Sequence, residues 1–357
     1  MRDISHGLIE MTSAALQKKK INPASVSEEM LLSTRICDLD VKIPGSWLEG
    51  CISELNKELD DKGIRFKPTC YLADEWLTPE DEITIGIPFY LADDALIKLE
   101  KKMMLEAEGE TKNWCMKLLH HETGHTINHG YKLSKSRKWQ KVFGSPHAEY
   151  GDTYRFRPYS RNFVRHLEDY YAQYHPDEDF AETFAVWLTP ELDWNQQYKG
   201  WKALSKLKFV EQLIQTFKDK DPLVTRANKF WQASRSRMTL ANYYKKKKQF
   251  SAEAFPDFHD TNLKRIFVEK NEETKDFVPA HDIIKRNKSA ILKSVAAWAG
   301  EKKYIINDLL KNIEHRCQEL KLVSPDTEVT AMTRISTYVT VLVMNYRYTG
   351  KFRGKTK

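Results

Sequence analysis

The chain has no run of eighteen apolar residues anywhere in its 357, so no membrane-spanning helix is expected. Its first residues, Met-Arg-Asp-Ile-Ser-His-Gly-Leu, lack the apolar stretch of a secretory signal. Cysteine is scarce: five residues, at 37, 51, 70, 115 and 317, with no C-x-x-C spacing. That number and scatter argue against a disulfide framework or a thiolate zinc site, and favour reduced thiols in a cytoplasm. No glycine-rich phosphate loop, Ser-His-Asp arrangement or internal repeat is apparent. Acidic residues, 50 in the whole chain, are missing altogether between Pro222 and Ala252.

What is present is enough for a folded, water-facing protein. A hydrophobic content of 41% with 16 Phe, 16 Tyr and 9 Trp can build a sizeable core. Apolar residues in helical rhythm predict helices at 45–60, 91–106, 112–129, 160–174, 176–188 and 201–218. Alternation predicts strands at 64–72 and 82–88. Residues 223–275 read as irregular and basic. Helices follow at 280–299 and 302–321, and the Val- and Thr-rich 327–347 keeps helical spacing as well. The expected class is α+β: a small mixed sheet packed on helices, followed by a mostly helical C-terminal region.

The run Leu-Leu-His-His-Glu-Thr-Gly-His-Thr (118–126) reads H-E-x-x-H. On a helix His121 and His125 lie on one face, one turn apart, where two imidazoles can share a Zn²⁺. Glu122 is rotated off that axis and can act as base toward a metal-bound water. The reaction class this implies is metal-assisted hydrolysis, most often of a peptide bond. The motif H-E-x-x-H-x-x-G-x-x-H is excluded, because Asn128 and Tyr131 stand where Gly and His are needed. His129 continues the spacing, but one straight helix rarely presents three successive turns to one ion. A third ligand is therefore sought downstream, in the acidic and apolar helix 176–188. There Glu178 and Glu182 share a face, one able to bind metal and the other to hold a ligand histidine. The spacing does not choose between them.

These two helices resemble those of a gluzincin-type metallopeptidase. The run His-Pro-Asp-Glu-Asp-Phe-Ala-Glu-Thr-Phe-Ala-Val-Trp-Leu (175–188) resembles most closely the bacterial "putative zinc-binding metallopeptidase" family. Its E-D-F-A-E-T-F-A portion (178–185) is similar to the helix of the anthrax lethal factor and Pro-Pro endopeptidase families. The resemblance implies that Glu178 is the third ligand and Glu182 its supporting partner. It also implies a transition-state tyrosine seven residues before the ligand, which is Tyr171, with Tyr170 and Tyr174 as alternatives. The expected division is a peripheral segment at 1–35, a zincin-like domain at 36–221, a basic segment at 222–279 and a helical region at 280–357.

Peptidases commonly hold substrate by adding it to a sheet edge. Pro88 and the short 82–88 strand suit an edge, so Thr84, Ile85 and Gly86 are expected to line the cleft. The expected function is a Zn²⁺-dependent peptidase acting on a peptide or protein, with no membrane contact. The acid-free stretch offers an alternative of a different class. Its Lys245 to Lys248, interleaved with Phe230, Trp231, Tyr243, Tyr244 and Phe250, could bind a polyanion such as RNA or single-stranded DNA. The chain would then be a nucleic-acid-binding or scaffold protein with a vestigial zinc site. A zinc hydrolase acting on a non-peptide amide is a third possibility.

Overall fold

A computed structural model of the protein describes residues 20–149, 157, 159–249 and 259–349. Among these residues the fold is mixed and mostly helical, with thirteen α-helices and two small two-stranded sheets. Two hydrophobic cores form, one from Leu31 to Tyr244 and one from Leu263 to Val343.

The first core begins with the short α1 (Glu28–Ser33) and the amphipathic α2 (Trp47–Asp61). The latter buries Leu48, Cys51, Leu55 and Leu59 at the spacing of one helix face. β1 (Thr69–Ala73) and β2 (Thr84–Pro88) then pair in parallel, with Thr69 opposite Thr84 and Tyr71 opposite Gly86. A parallel pair normally needs a long crossover. Here the connection is a short return run along the far side of β2. Leu77 donates to the Gly86 carbonyl at 3.3 Å and accepts from the Gly86 amide at 2.8 Å. A Cβ at position 86 would lie 2.3 Å from Leu77 Cδ2 and 2.9 Å from Ala73 Cβ, so glycine is required for this approach. The edge of β2 is thus covered by the chain itself. Thr84, Ile85 and Gly86 are buried and line no open cleft, which corrects the expectation drawn from Pro88.

α3 (Asp94–Met104) precedes α4 (Lys112–Gly130), which starts where the Thr111 hydroxyl accepts the Trp114 amide. α4 is buried nearly all round, which explains why no polar face is readable in its sequence. α5 (Arg137–Phe143) follows. The predicted helix at 160–174 does not form as such; only a 3₁₀ turn, Glu168–Gln173, is present. Tyr170 adopts φ +59°, outside helical geometry. The preceding backbone is held from outside, with Ala203 donating to Arg161 and the Tyr198 hydroxyl accepting from Arg165.

α6 (Pro176–Leu188) begins at a proline and is capped by His175, whose Nδ1 accepts the Asp177 amide. It packs on α4 and on α8 (Ala203–Ile214), with the short α7 (Trp194–Gln197) between them in sequence. α4 and α6 meet closely because Gly124 has no side chain: a Cβ there would sit 2.7 Å from Ala181 Cα.

The stretch after 222 is more ordered than its composition suggests. Residues 236–240 pair with the N-terminal segment, Ile36 donating to Met238 and Leu240 to Thr34. α9 (Leu240–Gln249) buries Tyr243 and Tyr244 in the first core. Lys247 reaches the buried Glu100 at 2.7 Å and lies over the rings of Tyr90 and Tyr243. Of the aromatics interleaved with the basic residues, Phe230 and Trp231 are exposed, and Phe250 lies outside the described residues. α10 (Asp260–Ile266) and a two-residue strand pair, β3 (Val268–Glu269) with β4 (Leu322–Val323), lead into the second core. That core is built by α11 (Ala280–Ala299), α12 (Lys303–Glu319) and α13 (Glu328–Thr349). It meets the first through Lys303, 3.1 Å from Glu106, and through Tyr304, which packs on the first core. No helix among the described residues is long and apolar enough to cross a membrane.

Candidate metal centre

α4 and α6 bring four predicted residues together. His121 Nε2 and His125 Nε2 lie 3.1 Å apart, and each is 3.2 Å from Glu178 Oε2. The three atoms form a nearly equilateral triangle. Three ligands around zinc at 2.0–2.1 Å in tetrahedral geometry would stand about 3.3 Å from one another. Two imidazole nitrogens and a carboxylate oxygen converging in this way could hold a metal ion.

The far sides of both imidazoles are held. His121 Nδ1 is 2.8 Å from Glu182 Oε1, whose other oxygen accepts the Leu167 amide at 2.9 Å. His125 Nδ1 is 2.9 Å from Asp177 Oδ2, and Asn128 donates to the other oxygen of Asp177. Each ring is thereby fixed with Nε2 facing the triangle. Of the two glutamates left open by spacing, the structure places Glu178 in the triangle and Glu182 behind His121.

Charge follows the same plan. Burial opposes a proton on His121, yet Glu178 and Glu182 outweigh it and raise the imidazole to about 9. His125 is raised well above its ordinary value, against burial, by Glu178 and Asp177. Burial would lift Glu178, but His125 and His121 hold it at about 2. Asp177 lies well below the usual carboxylate range despite burial, because His125 and His129 face it. The pocket therefore favours positive charge between its carboxylates, which a divalent cation satisfies on releasing the protons.

Residues 60–228 match the family model described as "Putative zinc-binding metallo-peptidase". The matched stretch contains the whole of α4 and α6. No curated protein and no solved structure matches the chain. The family is described as zinc-binding, which supports Zn²⁺ as the cofactor and a peptide or protein as the substrate. The donor set agrees: two neutral-capable imidazoles and one carboxylate, leaving room for a fourth ligand.

Glu122 is buried beside His121, and its Oε2 accepts the Thr78 hydroxyl at 2.8 Å. Tyr171 is half-buried with its ring centre 5.6 Å from that of His121, and it stacks on Tyr174. Tyr170 instead lies under the Arg165 guanidinium. His129 Nε2 approaches Asp177 at 3.6 Å and stays out of the triangle, although His125, His129 and Asp177 form a second cluster of metal-capable groups. His120 points away, 2.6 Å from the buried Glu58 of α2. Sequence reasoning missed Asp177, Thr78 and Gly124. Asp177 was legible as the acid next to Glu178. Thr78 carried no signal, being 44 positions from its partner.

Proposed function

We propose that the chain is a zinc-dependent peptidase of the H-E-x-x-H plus glutamate type, in which His121, His125 and Glu178 hold the metal. The observation that carries the reading is the triangle of His121, His125 and Glu178 with the buried acid Glu122 next to it in sequence. Bound there, Zn²⁺ supplies Lewis acidity toward a water and the scissile carbonyl. Glu122 takes a proton from the attacking water and returns it to the leaving amine. Glu182 and Asp177 hold the imidazoles in the tautomer that offers Nε2. Tyr171, beside His121, donates a hydrogen bond to the developing oxyanion.

The substrate strand docks on residues 76–78 rather than on β2. Leu77 spends both backbone groups on Gly86, so those of Trp76 and Thr78 face the opposite way. These groups have no backbone partner among the described residues. An extended peptide added to that edge runs past Glu122.

The test pairs metal content with cleavage. About one zinc per purified chain, lost or much weakened in Glu178→Ala, is expected. A mixed peptide library read by mass spectrometry should show cuts that vanish in Glu122→Gln. Zinc retained in full by Glu178→Ala would move the third ligand, and full activity of Glu122→Gln would end the mechanism. Of the residues that the polyanion reading would use, Tyr243, Tyr244 and Lys247 are engaged in the first core.

A further inference from the structure

We propose that Thr78 is a positioning residue that aims Glu122 and ties its orientation to the bound peptide strand. The proposal rests on the peptidase reading above. Thr78 is half-buried, and its single hydroxyl proton has two acceptors in reach, both on Glu122: Oε2 at 2.8 Å and the main-chain oxygen at 3.2 Å. The shorter contact is to the charged carboxylate, where a hydrogen bond is strongest. Engaging Oε2 fixes the plane of the carboxylate and leaves Oε1 to receive the proton of the attacking water.

The residue is itself held on both sides. Leu77 is locked to Gly86 by the two backbone bonds, and Pro79 restricts the chain on the other side. A few residues on, the buried Glu82 accepts from the amide and the side chain of Asn228 at 2.9 and 2.8 Å, closing the loop. Thr78 thus offers its side chain to the base and its unpaired backbone groups to the substrate edge. One residue sets the register between the peptide bond to be cut and the group that activates water.

The experiment compares Thr78→Val, which keeps shape and loses the donor, with Thr78→Ser, which keeps the donor. Both are prepared with Co²⁺ in place of zinc and titrated with acetohydroxamate, whose polar groups can hydrogen-bond to a correctly aimed Glu122. Cobalt absorption bands should be alike in wild type and both variants. Acetohydroxamate should bind Thr78→Val roughly tenfold more weakly and Thr78→Ser within about twofold of wild type, the size of one hydrogen bond to a charged group. On a cleaved library peptide, Thr78→Val should lower kcat by roughly tenfold with KM little changed, and serine should restore it. Equal losses in both variants, or none in either, would overturn the role of Thr78 and leave the peptidase reading standing. Absence of cobalt bands in the wild type would overturn both.

Discussion

Replacing Gly124 with alanine tests how α4 and α6 build the site. The added Cβ would meet Ala181 Cα at 2.7 Å, Ala181 O at 2.9 Å and Ala181 C at 3.2 Å. Ordinary contact begins at 3.4 Å, and all three atoms are backbone, so no side chain can swing aside. Relief requires the helices to part by on the order of 0.5–1 Å. Overpacking of this kind costs about 1–3 kcal/mol of stability. It also moves Glu178, on α6, away from the two histidines of α4. Zinc ligands tolerate displacements of only ~0.2 Å, so the triangle opens beyond fit. The expected outcome is a lower melting temperature together with a zinc affinity weakened by roughly tenfold or more, measured by competition with a chromophoric chelator. The two effects should scale together, because one displacement causes both. A Gly124→Ala protein that binds zinc within threefold of wild type at unchanged stability would refute the claim that this contact sets the ligand spacing.

Four further outcomes are expected. Glu122→Gln should keep its zinc and lose roughly 10²–10⁴-fold in turnover, checked by metal analysis beside peptide cleavage. Glu182→Ala should weaken zinc binding by roughly 10–100-fold, since His121 loses the partner that orients it; an unchanged affinity would remove Glu182 from the site. Zinc uptake at pH 7 should release protons, because His121, raised to about 9, is protonated before the metal arrives. Calorimetry in buffers of different ionisation enthalpy reads this directly, and buffer-independent heats would contradict it. Chelator-treated protein should be most stable between about pH 4.5 and 6.5. Glu178, depressed to about 2 in the fold, contributes stability above its unfolded value and loses it on acidification. His121, raised to about 9, contributes below its unfolded value and loses it as pH rises through 9.

Residues with strong local chemistry were the ones legible in the sequence. Thr111 starts α4, and Pro176 and Thr189 bound α6, because caps and prolines act on their own neighbours. The two histidines and two glutamates follow from helix spacing, which survives into the folded state. The stripe of Phe163, Val164, Leu167, Tyr170, Tyr171 and Tyr174 imitated a helix but is shaped by distant partners. Tyr198 holds Arg165 and Glu182 holds Leu167, and neither contact is written in local periodicity. The β2 edge was misread for a similar reason. Pro88 and the short strand suggested an open edge, and that edge is taken by Leu77 at Gly86. Thr78 has no neighbour in sequence that marks it, since only the return run of the chain brings it to Glu122.

Lys247 changes how the basic stretch can be interrogated. Its ammonium is the counter-ion of Glu100, whose side chain is almost wholly enclosed, and lies over the rings of two core tyrosines. Removing that charge strands a carboxylate in the interior and costs folding, whatever else it does. A block neutralisation of Lys245 to Lys248 would therefore abolish any polyanion binding by unfolding as readily as by loss of contact. Only a double change at the exposed Lys245 and Lys246, with Lys247 and Lys248 kept, separates a surface role from a structural one.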